Sequence, residues 1–113
     1  MAPKDSPASA VLEALFAVIE SRRGADPATS YVAKTLAAGT PEVAKKLGEE
    51  AIETVIAAVR GERDEVIGES ADLLFHLLML WAAAGVAPAD VFAELERRRG
   101  VSGLAEKAAR AAK

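Results

Sequence analysis

The chain has 113 residues, a formal net charge of −3, 51% apolar residues and 27% charged residues. That length suits one domain with one core, and the negative balance argues against general nucleic-acid binding. The absence of cysteine excludes disulfides and thiolate metal sites and fits a reducing cytoplasm, the expected compartment.

Alanine, leucine and valine dominate the apolar set and aromatic residues make up 4%, a composition that favours helices. Residues 1–8 hold two prolines and small side chains and read as a flexible arm. The opening MAPKDSPASA lacks the apolar run of a signal peptide, so export is not expected. A first helix is predicted from about Ser9, as cap, to Arg22, with Val11, Leu12, Leu15, Phe16 and Ile19 on one face. Turn chemistry makes GADPATS, Gly24 to Ser30, a loop. A short helix follows from about Ser30 to Ala38, closed by Gly39. Thr40-Pro41 is a cap followed by proline in the first helical position, starting a helix that runs to Arg60 and stops at Gly61. The next helix runs from Arg63 to Ala84 and stops at Gly85, and Pro88 opens a last amphipathic helix to Arg99. Residues 101–113 form a charged, alanine-rich tail that is compatible with helix but has no assigned place. No strand period or repeat appears. The fold expected is a single all-α domain, a four- to five-helix bundle. Its longest apolar stretch, Ala71 to Val86, is broken by Asp72 and His76 and is short for a bilayer, so no membrane partner is expected.

The most informative residues are five carboxylates: Glu49, Glu50 and Glu53 in GEEAIE, then Glu69 and Asp72 in ESADLLFH. Three residues is almost one helical turn, so Glu50/Glu53 and Glu69/Asp72 each place two carboxylates side by side. Such pairs repel and weaken a helix unless a cation or ligand offsets them. Oxygen-only donors point to a hard ion, Mg²⁺ or Mn²⁺, and to metal-assisted chemistry on a phosphate substrate. At about 100° per residue, Glu49, Glu53 and Glu50 fill a wedge of roughly 100° on their helix, and Glu65, Glu69, Asp72 and His76 a stripe of roughly 60° on the next. Apolar residues cover most of the remaining circumference of both helices. Each is therefore expected to be buried on both flanks, which a chain this small achieves by forming a homodimer. A solvated acidic face is the plainer reading, but two matching pairs inside the most apolar segments disfavour it. A di-iron bundle would need a Glu-x-x-His pair from each of two helices, whereas His76, the sole histidine, follows Asp72 by four residues. His76 reads as a core histidine bonded to a neighbour, and Phe75, Met79 and Trp81 as core.

The ExxE…ExxD pattern on consecutive helices resembles the all-α nucleoside triphosphate pyrophosphohydrolase superfamily. The flanking strings SRRGADPATSY, KKLGEEAIETVIAA, ESADLLFHLL and ELERRRGVSGLAEKAAR narrow the likeness to phosphoribosyl-ATP pyrophosphohydrolase, from about Val11 to Arg110. ADPATSY and the KKLGEEA context carry that narrowing. Leu47 and Phe75 depart from the valine or isoleucine and the tyrosine common in the family, at packing positions. The family often occurs fused to a zinc-dependent cyclohydrolase that needs cysteines, so this chain looks like the free-standing form.

The resemblance implies a phosphoribosyl-ATP diphosphatase of histidine biosynthesis, a hydrolase yielding phosphoribosyl-AMP and pyrophosphate by attack of water between the α- and β-phosphates. It implies Mg²⁺ ligation by Glu50, Glu53, Glu69 and Asp72. Glu49 would orient or deprotonate the attacking water, or hold a second ion. For the anionic substrate the expected contacts are Arg22, Lys34 and Lys46, with Ser30 and Tyr31 as hydrogen-bond donors. Arg97, Arg98 and Arg99 read instead as a basic helix end complementing the dipole. Two alternatives stand beside this one: a house-cleaning pyrophosphohydrolase of non-standard nucleotides, which would share the carboxylates, and a non-catalytic partner-binding bundle, which would not explain them.

Overall fold

A computed structural model describes residues 7–111, without the side chains of Pro7 and Ser9. Residues 1–6, most of the expected arm, lie outside the described residues, as do the last two of the tail. Six helices are present and no strand among the described residues: α1 (Pro7–Ser21), α2 (Tyr31–Ala37), α3 (Thr40–Arg60), α4 (Arg63–Ala84), α5 (Pro88–Arg98) and α6 (Gly103–Ala111). The all-α expectation stands. The four or five helices expected become six because the tail forms α6.

Helix ends follow from local chemistry, with some differences from the sequence reading. Ser9 lies inside α1, which starts two residues earlier, so it is not the cap. Ser30 precedes α2 and its side-chain oxygen accepts the Ala33 N–H at 3.1 Å, satisfying one of the donors a helix start leaves unpaired. At α3 the cap is Gly39 rather than Thr40, which is already helical, and Pro41 occupies the first turn where its missing N–H costs nothing. Gly61 and Gly85 end α3 and α4 in the left-handed conformation, at φ 72° and 74°, which side chains with a Cβ adopt only with strain.

Only Gly61 and Glu62 separate the two long helices, and a link that short sends α4 back antiparallel along α3. This pair is the principal packing of the molecule; α1 and α2 lie against α4, and α5 against α1. Ile19, Val32, Val43, Leu78, Met79 and Ala82 form the buried core, with Leu12, Phe16, Phe75 and Trp81 half-buried around it. Leu78 and Met79 are almost wholly excluded from solvent, and burial of each stabilises the fold by about 1.5–3 kcal/mol. Arg23 ties the end of α1 to the end of α4, donating from Nη2 to the Ala82 carbonyl at 2.7 Å and from Nε to Glu20 at 3.0 Å.

Burial on both flanks of the acidic helices is not what the single chain shows. On α3, Val43 and Ala57 are buried, but Ile52, Val55, Ile56 and Val59 are exposed, Val59 by 82%. Their spacing of three, four and seven residues makes one apolar stripe along the helix. By length and composition α4 is long and apolar enough to cross a membrane; in this fold it packs on α1, α2 and α3, with Ile67 and Leu74 left exposed.

The C-terminal segment is held by charge. Glu106 of α6 is only 8% exposed. Its Oε2 accepts from Arg97 Nη2 of α5 at 2.8 Å and lies within 4.0 Å of Arg98 and Arg110. Arg97 and Arg98 also donate to Glu94, at 2.7 Å and 2.9 Å, and together they hold its carboxyl down at about 2. The basic run lies at the end of α5, as read from the sequence, and Arg97 and Arg98 also clasp Glu106 of α6, while Arg99 pairs with Glu96.

Candidate active site

Antiparallel packing of α3 on α4 brings the two acidic motifs face to face. Glu50, Glu69 and Asp72 each offer a carboxylate oxygen, and these oxygens all lie within 4.8 Å of one another. Glu50 and Glu69 are half-buried and Asp72 is exposed, so the cluster sits at the mouth of the helix pair. One Oε1 of Glu50 and one of Glu69 are buried with no hydrogen-bond partner. Leaving a charged acceptor desolvated and unpaired costs free energy. Burial pushes the Glu69 carboxyl above the ordinary carboxylate range, and the adjoining Glu53 and then Glu50 push it further. Glu53 thus acts on Glu69 across the helix pair but lies outside the group of three.

A divalent cation fits this donor set on the structure's own terms. Two orphaned buried carboxylate oxygens need a positive partner, a third carboxylate lies within reach, and all the donors are hard oxygens. A cation would offset both the burial and the neighbouring carboxylates that raise Glu69.

Glu49 is exposed and does not join the cluster. It lines a shallow groove along α3 with Lys45, Gly48, Ala51, Ile52 and Glu53. Glu62, on the turn between the helices, is held above the usual carboxylate range by Glu65, at a distance in sequence from the cluster.

The cationic residues divide. Lys34 and Lys46 come together with Tyr31, Thr35, Ala38 and Glu42 around a groove of about 230 Å³ between α2 and α3, and Lys46 is 3.8 Å from Glu42. Ser30, Tyr31 and Lys34 also line a wider groove of about 600 Å³ with Pro27, Ala28 and Thr29. The GADPATS loop is shaped by Asp26, whose Oδ1 accepts the Ala28 N–H at 2.9 Å. Arg22 is exposed in the turn after α1, and its side chain enters neither groove nor any ion pair among the described residues.

His76 is the residue the sequence reading left without a role. Its ring is buried, with Nδ1 2.7 Å from the Asp72 backbone oxygen and Nε2 2.8 Å from Tyr31 Oη. It is a core histidine bonded to neighbours, as expected. The identity of one neighbour was hidden because Tyr31 lies 45 residues away.

Residues 12–99 match the family model described as phosphoribosyl-ATP pyrophosphohydrolase. A phosphoribosyl-ATP pyrophosphatase of Rhizorhabdus wittichii is 65% identical over 99 residues, 88% of this chain and 93% of the relative. One of Parvibaculum lavamentivorans is 64% identical over 99 residues, 88% and 91% of the two chains. One of Azospirillum brasilense is 54% identical over 107 residues, 95% and 96%.

Proposed function

The chain belongs to the phosphoribosyl-ATP pyrophosphohydrolase family and is a hydrolase, and from that premise we propose that it converts phosphoribosyl-ATP to phosphoribosyl-AMP and pyrophosphate, the second step of histidine biosynthesis. The observation that carries this reading is the meeting of Glu50, Glu69 and Asp72 with two orphaned buried oxygens, in a chain matched by the family along residues 12–99.

Glu50, Glu69 and Asp72, with Glu53 beside them, are the residues proposed to hold Mg²⁺, with Mn²⁺ as substitute. When bound, the ion supplies neutralisation of the polyphosphate charge and acidification of a water. Lys34 and Lys46 bind phosphate oxygens as point charges at the groove between α2 and α3. The Ser30 oxygen is occupied by the Ala33 N–H, which leaves its own O–H to donate to a phosphate. Glu49 accepts the proton of the attacking water on its carboxylate as the anhydride between the α- and β-phosphates breaks and pyrophosphate leaves. Support for Glu49 is its solvent-facing carboxylate one turn before Glu53 on the same helix. Arg22 contacts the distal phosphates only if its side chain turns from the position it has here.

The enzyme is proposed to act as a homodimer in the cytoplasm. The exposed stripe Ile52, Val55, Ile56 and Val59 supports the dimer. The absence of cysteine leaves nothing that needs an oxidising compartment.

Hydrolysis of phosphoribosyl-ATP measured beside ATP, dUTP and dCTP tests the substrate. Strong preference for phosphoribosyl-ATP is the expected result. Rapid turnover of the plain nucleotides without preference would establish the house-cleaning activity in its place.

A further inference from the structure

The polarity of Tyr31 is set from inside the fold. His76 is 5% exposed, and both of its ring nitrogens are engaged. The Asp72 carbonyl carries no proton, so its 2.7 Å contact with Nδ1 is a hydrogen bond only if Nδ1 is the protonated nitrogen. In the neutral imidazole Nε2 is then a bare lone pair, and the Tyr31 hydroxyl, 2.8 Å away, donates to it. The Tyr31 ring is held as well: it stacks on Phe75 at 6.3 Å between centroids and 27° between planes, and meets His76 edge-on at 5.8 Å. Nearly half of Tyr31 nonetheless remains exposed, 48%, in the wall shared by the two grooves.

A tyrosine whose proton is committed inward offers outward only the lone pairs of its oxygen. A phosphate oxygen has no proton to give them. A base N–H or a ribose O–H has. We propose that His76 is a positioning residue that fixes Tyr31 Oη as a hydrogen-bond acceptor, and that Tyr31 thereby recognises a proton-bearing edge of the nucleoside rather than a phosphate. The second half of this rests on the nucleotide substrate proposed above; the first half does not. It reverses the donor role expected for Tyr31 from the sequence. Phosphate recognition then falls to Lys34, Lys46 and the Ser30 hydroxyl, on the same groove walls. His76 acts only through Tyr31. With both nitrogens bonded, it has no lone pair left for a metal or a substrate.

Because the chain has one histidine, its ring gives a single set of signals in a long-range ¹H–¹⁵N correlation spectrum of the intact protein without ligand. The Nδ1–H tautomer is expected at neutral pH, and in Tyr31→Phe the Nε2 resonance moves as its donor is lost. An Nε2–H tautomer, or an Nε2 signal unmoved by Tyr31→Phe, overturns the proposal whatever the substrate proves to be. Kinetics test the rest. Tyr31→Phe raises KM about five- to tenfold with kcat little changed, the size of one lost hydrogen bond. His76→Phe does the same, and the double variant is no worse than either single one. His76→Gln, whose amide extends as far as Nε2, recovers most of the affinity, and the shorter His76→Asn does not. Additive losses, or a lower melting temperature for His76→Phe and His76→Gln with KM unchanged, would make His76 merely structural. Should His76→Phe fail to fold, the spectrum of Tyr31→Phe and the KM of His76→Gln decide.

Discussion

Glu50 on α3 and Glu69 on α4 bring carboxylate oxygens within 4.8 Å of each other, and each keeps a buried oxygen without a hydrogen-bond partner. Their closeness is unfavourable for an isolated chain and favourable for one that binds a cation. The expected outcome is a melting temperature that rises with Mg²⁺ concentration at neutral pH. The gain should follow mass action, about 2.7 kcal/mol at a hundredfold excess over Kd. Glu53→Gln should lose the shift if Glu53 completes the ligand set. A parent protein that melts at the same temperature with and without Mg²⁺, even with substrate present, would leave the carboxylates without their proposed role.

Turnover should respond differently from stability. Glu50→Gln and Asp72→Asn are expected to lower kcat by at least about a hundredfold while leaving the melting temperature of the metal-free protein equal or higher, since each removes like-charge repulsion. EDTA should abolish activity in the parent and excess Mg²⁺ restore it. Variants that unfold yet keep their specific activity would show the carboxylates to be structural.

The acidic cluster was legible in the sequence because both pairs are local: a spacing of three residues fixes their shared face before any tertiary contact exists. The stops at Gly61 and Gly85 were legible for the same reason. The Tyr31–His76 bond and the Arg97–Glu106 contact were not. They join separate elements, and nothing in the spacing of charged or aromatic residues says which distant partner the packing will supply. On α3 the stripe Ile52, Val55, Ile56 and Val59 stays exposed in the single chain. Apolar circumference shows that a surface needs covering, and the reading from sequence assigned that cover to a second copy.

The ion pairs along α5 give a pH dependence with a definite sign. Hydrogen bonds from Arg97 and Arg98 hold the Glu94 carboxyl at about 2, against 4.5 for the unperturbed group. Between those values the unfolded chain binds the proton that the folded chain refuses, so stability falls as the medium becomes more acid. The contribution is complete above pH 4.5 and lost as the pH drops toward 2. Glu94→Gln should therefore melt below the parent at neutral pH, show a shallower fall in melting temperature across that window, and converge with the parent near pH 2. Because Glu94 is substantially exposed, raised salt should also weaken the contribution. Parallel melting curves for parent and variant from pH 5 to 2 would show that the Glu94 pairs carry no linkage.

The exposed stripe on α3 makes the dimer testable by one residue. Ile52, Val55, Ile56 and Val59 follow one face of a helix whose other face packs on α4, and leaving them in water forgoes about 25 cal/mol for each Å² of apolar surface. A stable interface covers roughly 800 Å² per partner, more than four side chains provide, so further exposed apolar residues, such as Ile67 and Leu74 on α4, are expected to be covered too. Light scattering at micromolar concentration should give twice the mass of 11.8 kDa. Ile56→Asp should give the single mass, because a buried carboxylate without a partner opposes association by several kcal/mol. Its effect on the melting temperature should grow as the parent is made more concentrated, since only the parent gains from mass action. A parent that scatters as a well-folded monomer at that concentration would remove the dimer and leave the apolar stripe without a cover.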